Sequence, residues 1–209
     1  QLQDVSNALE EEGPEPQVFQ FKITLDGVKP PIWRRIQTPS DFTLSALSNM
    51  IQAAMGWGGF HLHAFEIGGV SYGIPSDDGL GNDLDESEYS LDELELAEKS
   101  RLKYEYDFGD GWRHTIVLEK ILPWKPEDLP ICVAGKRACP PEDCGGVWGY
   151  QTLLEALADP KHPEHDSKLE WLGAAPDPEH LSLERVNLRL AAMFPTDTDT
   201  EEDTPSARN

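Results

Sequence analysis

From Leu102 to Leu122 the chain reads as a strand, a tight turn and a second strand, and no other stretch constrains the fold so strongly. Leu102, Tyr104, Tyr106 and Phe108 alternate with Lys103, Glu105 and Asp107, the period of a half-buried strand. Gly109-Asp110-Gly111 follows, and the glycines flanking Asp110 are expected to supply the positive φ that a tight hairpin needs. The return strand starts at Trp112 and continues through Ile116-Val117-Leu118 to about Leu122. A hairpin with one apolar face is marginal in water, so it requires further strands and a covering layer. Its turn gathers two carboxylates, an indole and an imidazole (Asp107, Asp110, Trp112, His114) at one end of that sheet.

The preceding segment supplies the missing layers. Phe19, Phe21, Ile23 and Leu25 share a strand face, Asp26-Gly27 starts a turn, and Ile32 to Gln37 forms the return strand. Thr43 can cap a helix with Leu44, Leu47, Ile51 and Ala54 at helical spacing, and Gly56 stops it. Leu62 to Ile67 reads as a strand, Gly68-Gly69 as a turn, and Val70-Ser71-Tyr72 as a short return. A short helical turn carrying Leu91, Leu94 and Leu96 then leads into the central hairpin. The order of elements gives an α+β class, and by analogy a β-grasp (ubiquitin-like) mixed sheet with one covering helix and an extra strand.

Beyond Leu122 the composition changes. Pro123, Pro126, Pro130, Pro140 and Pro141 argue against regular structure over most of residues 123–146, which also hold Cys132, Cys139 and Cys144. Helices are expected at about Val147 to Ala158, from Pro163 through Leu172, and around Leu181 to Phe194, where Pro195 ends the pattern. The organisation expected is an acidic disordered tail over 1–17, one domain over 18–195, and a second such tail over 196–209. Within the domain, 18–122 is the β-grasp-like part, 123–146 the Pro/Cys-rich loop and 147–195 the helical part.

The net charge is -22, and its placement narrows the function. The two tails and the stretch Asp77 to Glu98, which holds ten acids and no Lys or Arg, carry nearly all of it. That stretch is expected to be a solvated loop, with Arg34 and Arg35 pairing to it. A basic face for nucleic acid is missing beyond small clusters such as Arg34-Arg35 and Lys136-Arg137, so a protein partner is favoured over DNA or RNA. No apolar run approaches the roughly 18 residues of a membrane span, and the N-terminus lacks a signal pattern. Three cysteines argue against a disulfide framework, and a cytoplasmic protein is expected.

Three motifs carry a resemblance: Tyr104 to His114; Cys139-Pro-Pro-Glu-Asp-Cys-Gly-Gly146 followed by Gly149-Tyr150; and His162-Pro-Glu-His165. Over roughly Phe19 to Phe194 the chain resembles the plasmid Ri open-reading-frame-three-like family, whose members are also described as insertion-element passenger proteins of TnpR type. The resemblance implies a plasmid or mobile-element setting and brings no biochemical activity with it. A serine resolvase needs a nucleophilic serine among arginines and a basic DNA-binding helix pair, and this acidic chain shows neither.

Two candidate sites follow from residue chemistry. Asp107, Asp110 and His114 are candidate catalytic residues for acid–base or metal-assisted hydrolysis, with Trp112, Glu142 and Asp143 as binding residues. The plainer role for the same carboxylates is to cap the turn. Cys132, Cys139 and Cys144 are candidate ligands for zinc, with His114, His162, His165 or Asp143 to complete the shell, against the alternative of three reduced thiols packed as small hydrophobes. His61 and His63, two apart, would share a strand face. The leading expectation is a protein-binding or adaptor module, which would need an exposed aromatic patch around Trp57, Trp112 or Trp148. The alternative is a metal-dependent hydrolase acting through the Asp107/Asp110/His114 cluster.

Overall fold

A computed structural model describes residues 17–75, 83–124, 129–174 and 176–195. The tails expected to be disordered, Gln17 apart, and the first part of the acidic stretch lie outside the described residues. Among the described residues there are eight strands: β1 Val18–Leu25, β2 Ile32–Pro39, β3 His63–Ile67, β4 Val70–Gly73, β5 Leu84–Asp85, β6 Arg101–Tyr106, β7 Trp112–Leu122 and β8 Ile131–Lys136. The helices are α1 Leu44–Met55, α2 Gly146–Ala158, α3 His165–Leu172 and α4 Leu183–Met193. The protein is therefore α+β.

All eight strands join one mixed sheet in the order β5-β4-β3-β6-β7-β1-β2-β8. Neighbours are antiparallel except β4 and β5. The long strand β7 lies between β1 and β6, so those two run parallel to each other without pairing.

Thr43 caps α1 by accepting a hydrogen bond from Ala46 N at 3.2 Å, and Gly56 closes it at φ +94. Leu44, Leu47, Met50 and Ile51 of α1 join one core with Phe21, Ile23, Ile116 and Leu118 of the sheet. Each such side chain contributes about 2 kcal/mol by leaving water. Within that core, Tyr104 OH meets Ser48 Oγ at 2.9 Å and accepts from Gln52 at 3.2 Å, so its polar atom is satisfied. Helix α4 packs on α1 and β8, and α2 pairs with α3.

Several expectations change. The hairpin turn spans Asp107 to Gly111, with Tyr106 opposite Trp112. Its positive φ values fall on Asp107 (+55) and Gly111 (+66) and not on Gly109. Asp107 tolerates the left-handed region because its carboxylate bonds the turn's own amides. The strand thus ends at Tyr106, and Phe108 turns outward instead of continuing the apolar face.

The Pro/Cys-rich segment contains β8, because Ile131–Lys136 holds no proline and can pair along the edge strand β2. The described part of the acidic stretch is not a solvated loop. It adds β5, buries Leu91 completely and carries the buried Glu86, which pairs with His63 at 2.9 Å. Residues 91–95 form turns and no helix, because Leu91 N and Asp92 N donate to Phe42 O and Ser40 O. Nor do the two arginines reach it. Arg35 pairs with Glu119, and Arg34 is buried against backbone carbonyls.

Candidate binding site at the hairpin end

Three segments meet at the turn between β6 and β7. Asp107 Oδ1 accepts from Gly109 N (2.9 Å) and Asp110 N (3.3 Å), while Asp107 N donates to Leu62 O (2.9 Å) and ties in the 57–62 loop. Asp110 Oδ2 accepts from Gly145 N at 3.1 Å, which docks the start of α2. At Gly146 a Cβ would lie 2.2 Å from Asp110 O, so the approach requires glycine there. Glu142 completes the junction by accepting from Tyr106 OH at 2.6 Å and from Gly58 N at 2.8 Å. Burial and this bond push the Tyr106 phenol well above its usual range.

His61 stands between two carboxylates. Its Nδ1 is 3.5 Å from Asp107 Oδ2, and its Nε2 is 3.2 Å from Asp143 Oδ1. One ligand atom from each of these residues lies within 4.8 Å of the others, and this is the one such group of three among the described residues. A carboxylate–imidazole–carboxylate chain can attract a cation or hold a proton in place. The sequence reading brought Asp107 and Asp143 into the site but missed His61 as their partner. The His61-Leu62-His63 spacing was the available signal, and strand alternation misdirected it. His61 precedes β3, while His63 begins the strand and turns inward to Glu86.

Beneath the junction lies an aromatic nest. Trp57 stacks on Tyr106 with ring centroids 5.0 Å apart and meets His114 edge-on at 5.5 Å. Tyr104 lies 5.5 Å from His114 on another side. Trp112 and His114 do share a face, but it is the core face, and both are essentially inaccessible. No hydrogen bond or ion pair among the described residues joins His114 to Asp107 or Asp110. Among the described residues, both of its ring nitrogens, and Trp112 Nε1, have no partner at hydrogen-bonding geometry. Burial pushes His114 down to about 4, with the Tyr104 and Trp112 carbonyls only softening the effect, so it is neutral at pH 7.

The three cysteines are free and occupy different surroundings. Cys132 is buried on β8, where its backbone N–H donates to Asn187 Oδ1 at 2.8 Å. Cys139 Sγ accepts from Arg34 Nη2 at 3.1 Å and contacts Met55 Sδ. Cys144 lies beside the carboxylates of Asp110 and Asp143. Burial and those charges push its thiol up to about 12, and burial pushes Cys139 up to about 11. Of the other histidines, His165 Nδ1 meets Ala156 O at 2.9 Å and His162 accepts from Glu164 N.

Around the junction, large apolar side chains face solvent: Phe60 is 85% exposed, Leu62 61%, Phe108 54% and Trp148 82%. They belong to the three segments joined by the Leu62–Asp107 and Asp110–Gly145 bonds. Of the tryptophans considered for a patch, Trp148 is outside and Trp57 and Trp112 are in the core.

A mixed eight-stranded sheet with four helices among the described residues, with this hairpin turn at one end, marks an α+β protein whose clustered polar side chains come from loops. The chain belongs to the plasmid pRiA4b ORF-3-like protein family, which it matches over residues 17–185. It is 41% identical over 159 residues to the uncharacterised protein y4hQ of Sinorhizobium fredii, covering 76% of this chain and 82% of that one. A crystal structure of MM3350 from Methanosarcina mazei, titled a protein of unknown function, is similar at a TM-score of 0.74 with 40% identity. That likeness covers 81% of this chain and 97% of the other. No helix among the described residues is long and apolar enough to cross a membrane.

Proposed function

We infer that this protein is a binding module of plasmid or mobile-element systems that takes a protein partner at the hairpin end. The observation that carries the reading is the exposure of Phe60, Leu62, Phe108 and Trp148 around His61, Asp107 and Asp143. Large apolar side chains facing water around a polar centre suit a recognition surface. The acidic centre favours a partner segment bearing Lys or Arg beside apolar residues, where cation–π and ionic contacts act together. The β-grasp analogy supports the same reading. With β5, β7 and β8 set aside, the order β2-β1-β6-β3-β4, with β1 parallel to β6 but not paired to it, resembles the ubiquitin-like one. A cytoplasmic setting accords with the free cysteines.

The test is selection of displayed peptides on the full chain and on a Phe60→Ser, Trp148→Ser variant. Basic, apolar peptides should be enriched by the parent and bind the variant at least tenfold more weakly. Equal binding to both, or no enrichment, would end this reading.

A metal-dependent hydrolase is the second reading, favoured by the His61, Asp107 and Asp143 grouping more than by the separated His114. Zinc held by Cys132, Cys139 and Cys144 is a distinct proposal. Elemental analysis of untagged protein separates them. Loss of metal on Asp107→Asn supports the first, loss on Cys139→Ser with Cys144→Ser supports the second, and metal-free parent protein refutes both.

A further inference from the structure

A concavity of about 400 Å³ opens between the end of α1, the 138–142 loop and the first turns of α4. Arg34, Arg185 and Arg189 line it together with His180. We propose that this cleft binds a small organic phosphate, its oxyanion held by the arginines and its apolar body lying against Trp57 and the Pro140-Pro141 wall.

The charge accounting supports this. Arg35, Arg113 and Arg137 each hold a glutamate, whereas the cleft arginines hold no carboxylate among the described residues, a state shared only with Arg101 at the exposed start of β6. Arg34 is 2% exposed, yet its bonds go to neutral acceptors alone: the carbonyls of Ala54, Trp33 and Lys136, and Cys139 Sγ. A buried cation without a counter-ion is costly unless something supplies negative charge. The C-terminal end of α1 supplies part of it. Arg34 Nε donates to Ala54 O at 2.9 Å, and Arg189 Nη1 lies 2.5 Å from where a Cβ of Gly56 would stand. A helix end amounts to about half a negative charge, less than the buried Arg34 guanidinium carries alone, and Arg185 and Arg189 add exposed guanidinium groups at the cleft mouth.

Two carboxylates, Glu142 and Asp177, also line the cleft, so the arginines outnumber them by three to two, and among the described residues neither forms an ion pair with an arginine there. Glu142 accepts from Tyr106 and Gly58, and Asp177 Oδ1 accepts from Glu179 N. Arg185 and Arg189 are also one turn apart on α4, where like charges repel. In a chain with 39 acids and 17 Lys and Arg, such a group stands out. Guanidinium forks match phosphate oxygens in pairs, and a phosphate offers three oxygens, so more than one fork can engage it at once, where a carboxylate offers two. The apolar wall then discriminates an organic ester from the free ion.

Titration calorimetry of the full chain with phenyl phosphate at low ionic strength tests the proposal, independently of the hairpin-end reading. Inorganic phosphate and benzoate should bind more weakly. Arg185→Gln and Arg189→Gln, both at exposed positions that leave the core intact, should each weaken phenyl phosphate by about tenfold or more. Arg113→Gln, at an exposed arginine elsewhere on the sheet, should leave the affinity unchanged. Absence of millimolar binding, benzoate binding as tightly, or equal losses in all three variants would overturn the assignment.

Discussion

His114 offers the sharpest test of how the core is built. Its imidazole is fully enclosed beside Trp57 and Tyr104, neither nitrogen has a partner at hydrogen-bonding geometry among the described residues, and burial holds it near 4 in place of the usual 6.5. The sign of the pH effect follows directly. Above about pH 6.5 the ring is neutral in the folded and unfolded chains and contributes no pH dependence. Below that value the unfolded chain takes up a proton that the folded chain refuses, so stability falls as pH falls, until the folded ring also titrates near 4. At about 1.4 kcal/mol per tenfold in proton affinity, the loss is about 1.4 kcal/mol by pH 5.5 and about 3 kcal/mol by pH 4. That is a large share of the roughly 5–15 kcal/mol that holds a domain together.

His114→Phe keeps an aromatic ring in the nest and removes the titration, and His114→Leu removes it with a non-aromatic side chain of similar volume. Urea unfolding at about pH 7, 5.5 and 4 measures the difference. Relative to the parent, both variants should gain about 3 kcal/mol between pH 7 and 4, whatever their offset at neutral pH. Other titrating groups are common to the three proteins and cancel in this difference. Parent and variants losing stability in parallel would refute a buried neutral His114.

Two further predictions concern the junction and the acidic segment. Gly146→Ala places a Cβ 2.2 Å from Asp110 O at φ +66, so it should cost at least about 2 kcal/mol in urea unfolding. Gly69→Ala, at φ +86 but in open space, should cost only about 1 kcal/mol, and equal losses would refute the tight approach of α2 to the hairpin. Glu86→Ala strands the buried His63 and should cost about 3 kcal/mol, against less than about 1 kcal/mol for Glu105→Ala in the exposed pair with Arg113. Comparable losses would mean that the segment around Glu86 is not part of the core.

Local physics is written in the sequence wherever a single period or cap decides the outcome. Phe19 to Leu25 and Leu102 to Tyr106 alternate, so their strands and buried faces follow from the pleat. Thr43 and Gly56 bracket α1 because a side-chain oxygen and a left-handed residue satisfy its end groups. The family, too, is legible in the motifs 104–114 and 139–150.

Tertiary structure decided what depends on distant partners. Strand β8 exists because the edge of β2 offers unpaired backbone, which no local pattern within a proline-rich segment reveals. Glu86 and Leu91 fold inward because His63 and α1 provide a hydrogen-bond partner and an apolar surface from elsewhere in the chain. Trp112 and His114 lie on the face the alternation gives, but only the arrival of Trp57 makes that face core, which carries His114 away from the carboxylates beside it in sequence. The same packing brings His61 to Asp107 and Asp143, and Arg34 to Arg185 and Arg189. Those meetings are set by how layers stack, and residue spacing along one strand or helix carries no record of them.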